Sequence, residues 1–327
     1  MAFEVDIVLP WVDGEDPSLK ASRHRFMHDS KEAMHEDIGG DSRYHSSGEI
    51  KYCVTSINLH APFIRKIFIV TDGQDPDLVP YLEKRFPQGY IPMEIVDHKD
   101  IFRGYEEYLP VFNSRAIETM IWRIPGLSEH FILMNDDFIL TSDVTVKDFF
   151  IDGKTVCYAD SGSTAWAKFL RWIKPTCHGH KPVGFKDSMV NALDILGGGK
   201  QFFNLGHTPR ALKRSFYEDF FSTRQDVVIR NIRHRFRNAE QFNSQELFYI
   251  SESREGRCKN IPLKGKTLYL KPRHNKNYID RKIEVFRKSE DVPFCCINSL
   301  SLATLEDRGK VLDWLEEKLN QNFRKSL

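Results

Sequence analysis

Apolar and polar positions along the chain follow two periods. Val5 to Leu9, Lys66 to Val70, Met93 to Val96 and Phe131 to Met134 are short apolar runs, as expected of strands buried on both faces. Helical spacing fills the gaps between them. Ile50, Val54 and Ile57 predict a helix ending near His60, and Leu78 to Phe86 predicts another. Ile117, Met120, Ile121 and Ile124 recur at i, i+3, i+4 and i+7, with Asn113 or Ser114 as cap and Pro125-Gly126 as stop. Residues 17 to 48 are polar and read as a helix followed by a loop through Gly39-Gly40. Strands alternating with helices predict a mostly parallel sheet covered on both faces.

Each of the four runs stops at an acid: Asp13, Asp72, Asp97 and the pair Asp136-Asp137. One such stop is ordinary turn chemistry. Four parallel strands would place them all on the carboxyl edge, where open α/β sheets bind ligands, and that suits a metal and a phosphorylated ligand. No P-loop lysine motif and no GxGxxG follow the first strand, so an ordinary P-loop site and a dinucleotide site are not supported.

Beyond a fifth expected strand, Thr155 to Ala159, the pattern loosens. Trp166, Phe169, Leu170 and Ile173, set among Lys168, Arg171 and Lys174, form an amphipathic stretch suited to a half-buried helix or to a membrane surface. Phe242 to Ile250 reads as helix, Thr267 to Leu270 as strand, and residues 304 to 323 as a closing helix through Val311, Leu315 and Leu319. With no repeat and no low-complexity linker, a single composite domain is expected. Its α/β core would be residues 1–160, and residues 161–327 would complete the site.

Composition narrows the classes. The 327 residues are 41% hydrophobic and 28% charged with a net charge of +1, so nucleic acid is not an expected partner. No apolar run approaches the roughly 20 residues that span a bilayer, and MAFEVDIVLP lacks the basic start of a signal peptide. Six cysteines without framework spacing suggest reduced thiols in a cytosol. Cys177-His178-Gly179-His180 has metal-ligand residue types but no second pair, so no zinc site is assigned.

Three residues outside the strand ends carry candidate chemistry. Glu118 lies one turn inside the helix before the fourth strand, where an acid is also simply stabilised by the helix dipole. His207, in Gly206-His207-Thr208-Pro209, is a loop imidazole. Arg237 closes a basic run, Arg230, Arg233, Arg235 and Arg237, and its guanidinium matches phosphate oxygens. Transfer of a phosphorylated group needs a cation on carboxylates, a cationic clamp and a base, with no Ser or Cys nucleophile.

The blocks DIVLPWVDGEDP (6–17), APFIRKIFIVTDGQDPD (61–77), LPVFNSRAIE with MNDD (109–137), HTP (207–209) and FRNAEQF (236–242) stand in the order of the Stealth family, and nearly the whole chain resembles it. The resemblance implies a Rossmann-like or GT-A-like, mostly parallel α/β sheet with a C-terminal α+β elaboration. It also implies transfer of a sugar-1-phosphate from a nucleotide sugar to an acceptor hydroxyl, leaving a phosphodiester, in capsular or surface polysaccharide assembly. By resemblance Glu118, Asp137, His207 and Arg237 are catalytic, with His207 the first choice of base. Trp11, Asp13, Gly14, Asp72, Asn113, Ser114, Asn135 and Glu240 line the substrates. Asp136 and Asp137 hold Mg²⁺ or Mn²⁺. The implied acceptor is a lipid-linked oligosaccharide or polysaccharide at the cytoplasmic face, with peripheral membrane contact. The rival reading is a metal-dependent glycosyltransferase, and a lectin-like binder is a third. Two positions depart from the family pattern: Thr55 stands where Arg is frequent, and the late block ends Asn298-Ser299 rather than Asn-Asp.

Overall fold

The protein is described by a computed structural model covering residues 3–28, 48–173, 184–273, 275, 277–289 and 291–326. In chain order the first half contains β1 (Val5–Pro10), α1 (Pro17–His28), α2 (Glu49–His60), β2 (Ile64–Thr71), α3 (Val79–Arg85), β3 (Met93–Asp97), α4 (His98–Ile101) and α5 (Ser114–Met120). Then come β4 (His130–Leu133), β5 (Phe138–Leu140), β6 (Phe150–Ile151), β7 (Lys154–Ser163), α6 (Thr164–Ile173), α7 (Phe185–Ile195), β8 (Gln201–Leu205) and β9 (Arg210–Lys213). The chain finishes with α8 (Arg214–Ser222), α9 (Gln225–Ile232), α10 (Ser244–Arg254), β10 (Cys258–Ile261), β11 (Thr267–Leu270), α11 (Tyr278–Arg287), β12 (Phe294–Ile297) and α12 (Leu305–Ser326).

The central sheet has the order β3-β2-β1-β4-β9. The first four strands are mutually parallel, and β9 returns antiparallel to β4. The mostly parallel α/β sheet is therefore present, and the four strand-end acids do share one edge. Side chains obey the period of two. Val5, Ile7, Leu9, Ile67 and Ile69 pack on one face with Ile50, Val54 and Ile57 of α2 and with Trp314 and Leu315 of α12. Val8, Phe68, Val70, Phe131 and Leu133 pack on the other with Ala116 and Met120 of α5 and Phe248 of α10. Asp6 is the one charge inside β1. It is fully buried and takes two hydrogen bonds from Arg65, at 2.9 and 2.6 Å, and one from the Ser128 amide at 2.7 Å.

The expected strand at 155–159 exists but is longer and leaves the central sheet: β7 pairs with β6, β8 and β10. A third sheet, β11-β12-β5, was half visible in the sequence through Thr267 to Leu270. β5 follows Asp137 directly, so β12 lies beside the acid pair. Thr55, the departure in α2, is buried, with its hydroxyl 2.7 Å from the Lys51 carbonyl and 3.1 Å from the Tyr81 hydroxyl. The five described cysteines are free, whereas Cys177-His178-Gly179-His180 lies outside the described residues.

Candidate active site

Three chain segments meet at the carboxyl edge of β4. The first is Asn135-Asp136-Asp137, which follows the strand directly. Asp137 is positioned by the late block: its Oδ2 accepts from Asn298 Nδ2 at 3.3 Å and Cys296 Sγ at 3.5 Å, and its carbonyl accepts from the Ile297 amide at 3.0 Å. Asp137 Oδ1 is buried and has no protein partner. Burial pushes the Asp137 carboxyl up to about 6, with Glu49 adding to the rise. Burial, then the neighbouring charges of Asp137 and Glu49, push Asp136 well above the carboxylate range. Such a cluster of hard oxygens suits a divalent cation. Among the described residues no group of three or more His, Cys, Asp or Glu is arranged to hold a metal, so the protein offers this pair rather than a full cage. Asn135 itself is exposed.

The second segment is the turn before β9. Leu133 pairs with Arg210, which places Gly206 to Pro209 beside the acids. Buried Arg210 ties the turn by donating to the Thr208 carbonyl at 2.7 Å, to Thr208 Oγ1 at 2.5 Å and to the Gly206 carbonyl. The turn packs closely on Leu263, whose side chain would have to shift for a Cβ at Gly206, 2.4 Å from its Cδ2. The His207 ring reaches solvent but stacks on Tyr269 at 4.6 Å and meets the edge of Phe138 at 6.5 Å. Desolvation by these rings, with the charges of Arg210 and Lys271, pushes its imidazole down to about 4.

The third segment is the start of α5, with the strap from 234 to 245. A crossover helix runs back against its strands, so its N-terminus lies at their carboxyl edge. Asn113 caps α5 by accepting from the Ala116 amide at 3.1 Å, and it also accepts from Gln241 at 3.2 Å and donates to the His234 carbonyl at 2.6 Å. The Asn113 amide, expected at the substrate, thus holds the strap. Arg237 then reaches Ser114 Oγ at 3.5 Å. Glu118 accepts from Gln245 Nε2 at 2.9 Å. Burial raises its carboxyl above the ordinary value, against the opposing pull of Gln245, Arg237 and Arg115. Glu240, expected at the substrate, is exposed and ion-paired with Arg233, and with His234 at 3.3 Å.

At the β1–β2 end, Gln74 binds the Asp13 amide at 2.9 Å, the Asp13 carbonyl at 3.1 Å and Asp16 Oδ2 at 3.1 Å. Asp13 Oδ1 closes a local turn on the Glu15 amide at 2.9 Å, beside buried Gly14 and half-buried Trp11. Asp72 is half-buried and faces His98. Asp97 caps α4 through a reciprocal pair with Asp100. Two of the four strand-end acids, Asp13 and Asp97, thus do turn work, and Asp136-Asp137 bears the electrostatic load. Gln74, Arg210, Gln245 and Asn298 were not expected as site residues. Asn298 and Gln74 had a signal, since the one stands in the late block and the other in the block 61–77.

Residues 43–157 match the Stealth protein CR2 family, conserved region 2. An exopolysaccharide phosphotransferase of Streptomyces coelicolor is 34% identical over 239 residues, covering 72% of this chain and 37% of that protein. The capsular polysaccharide phosphotransferase CpsJ of Streptococcus thermophilus is 35% identical over 168 residues, covering 51% of this chain and 66% of that protein. The chain thus spans about a third of the length of the first relative. Among solved structures, the bifunctional glycosyltransferase WbbM superposes with a TM-score of 0.51 at 9% identity, over 98% of this chain and 52% of that one, a likeness of fold alone. Taken with the shared conserved region and these relatives, the chain belongs to the Stealth family.

Proposed function

We propose that this chain transfers a sugar-1-phosphate from a nucleoside-diphosphate sugar to a saccharide hydroxyl, in the assembly of a capsular or other surface polysaccharide. The observation that supports this most is the convergence at one sheet edge of an acid pair, Asp136-Asp137, with a Glu118–Arg237 cluster. The phosphotransferase names of the relatives point the same way. The chain would act as one composite catalytic unit, its residues before 160 binding the nucleotide sugar and its later residues closing the site.

Asp136 and Asp137 would hold Mg²⁺ or Mn²⁺, which offsets the charge of the donor diphosphate. Two carboxylates together with substrate phosphate oxygens and water are a common ligand set for Mg²⁺. Arg237 would bind the oxygens of the transferred phosphoryl group as a planar clamp. Glu118, whose burial makes it a stronger base than an ordinary carboxylate, would take the proton of the acceptor hydroxyl. That oxygen then bonds to the phosphorus bearing the sugar, the pyrophosphate P–O bond breaks, and a nucleoside monophosphate leaves. His207, neutral at working pH, would orient the acceptor or share the proton. Trp11, Asp13, Gly14 and Asp72 would border the nucleotide, while Ser114 and Asn135 would border the transferred group.

The released nucleotide tests the assignment. A monophosphate from a diphosphate donor supports sugar-1-phosphate transfer. A diphosphate would establish the rival glycosyl transfer, and no turnover would leave only a binding protein. We further propose that the acceptor is lipid-linked and met at the cytoplasmic face. Among the described residues no helix is long and apolar enough to cross a membrane.

A further inference from the structure

Helix α6 is seated on the protein by its small residues and turns its large ones outward. Ala167 and Thr164 are buried, whereas Trp166, Phe169, Trp172 and Ile173 are 59%, 46%, 73% and 51% exposed. Trp166 stacks on Phe169 at 5.4 Å, and Phe169 meets Trp172 at 6.2 Å, so these rings form one continuous stripe. Phe185, at the start of α7, is a further exposed ring. Apolar patches of this kind on a protein surface usually mark a contact.

Charge identifies the contact. Lys168 flanks the stripe, Lys186 follows Phe185, and no Asp or Glu occurs in the sequence from 164 to 186. Lys168 has one exposed partner, Asp194 at 3.1 Å. A ten-residue helix is about 15 Å long and cannot span a bilayer, but it can lie in the plane of its surface. Tryptophan, with an apolar body and a polar N–H, favours that boundary.

The start of α7 lies next to the candidate active site. The Gly184 carbonyl, one residue before Phe185, accepts from Arg115 at 3.3 Å. Arg115 neighbours Ser114, which Arg237 reaches.

We propose that α6 with Phe185 docks onto the surface of an anionic lipid bilayer and so brings the active site to an acceptor held in that membrane. The second clause rests on the function proposed above; the docking itself does not. The experiment is flotation of the full chain with vesicles of phosphatidylcholine containing ~30% phosphatidylglycerol, with phosphatidylcholine vesicles and ~0.5 M salt as contrasts. The chain should float with the anionic vesicles. Binding should fall at least about tenfold on the neutral vesicles, in high salt, and in the variant Trp166→Ser/Phe169→Ser/Trp172→Ser. Circular dichroism and nucleotide release with a water-soluble acceptor should remain as in the parent, and Trp172→Ser alone provides a milder variant. The proposal is overturned if the parent chain does not float, if both variants float equally well, or if light scattering shows the stripe consumed in self-association without lipid. Absent turnover with a soluble acceptor would instead count against the function, and flotation would still decide the docking.

Discussion

Glu118 and His207 show burial acting in opposite directions on an acid and a base. Glu118 is held above the ordinary carboxylate value, and His207 is pushed down to about 4. At neutral pH the imidazole is therefore a weak proton acceptor and the carboxylate a comparatively strong one. The acid limb of kcat/KM should lie above 4.5 and disappear in Glu118→Gln, with a loss of about 10²–10⁴-fold in kcat. A limb near 4 that vanishes in His207→Ala would return the role to the imidazole. His207 also leaves a mark on stability. Its folded value lies below the ordinary 6.5, so between about 4 and 6.5 the unfolded chain binds more protons and stability rises with pH. His207→Ala should flatten the denaturant midpoint across that window. Asp137→Asn keeps the volume and removes a charge. Mn²⁺ at ~100 times its Kd should stabilise the parent by about 2.7 kcal/mol in a thermal melt, and that gain should be absent in the variant along with turnover. Arg237→Lys keeps charge but loses the planar fork, so nucleoside-monophosphate release should drop while the midpoint stays within about 0.5 kcal/mol.

Among the elements, the strap held by Asn113 couples a helix cap to the site. Asn113→Ala removes the cap of α5 together with its bonds to the His234 carbonyl and to one Gln241 N–H, at a combined cost of about 2–4 kcal/mol in urea denaturation. Because Arg237 lies on that strap, turnover should fall further than the lost stability explains. The elements that were legible in the sequence are those with long, uniform periodicity: β1, β2, β3, α2 and α5 match their apolar runs to within a few residues. β8, β9, β10 and β12 were not foreseen, although none is shorter than β4. Their pairing partners lie far away in the chain, and local pattern carries no record of them. The same limit applies to the site. Asp137 and Glu118 stand out in their own segments, but Asn298 and Gln245 acquire meaning only once β12 and α10 are folded against them.

For the molecule as a whole, the last helix and the first strands share a core. Val311, Trp314, Leu315 and Leu319 of α12 are buried against the face formed by β1, β2 and α2. Trp314→Ala should cost about 3–5 kcal/mol, and calorimetry should show a single transition moving down as a unit rather than a separate melting of the C-terminus. The return of β9 onto β4 has a consequence in time. β4 leaves the ribosome roughly 80 residues before β9, which at about 5–20 residues per second means a delay of roughly 4–16 s. Through that interval the nascent sheet presents a bare backbone edge with unpaired N–H and C=O groups, a template for any other strand. Synthesis in a crowded cell therefore carries an aggregation hazard at the β4 edge that ends once β9 is seated there.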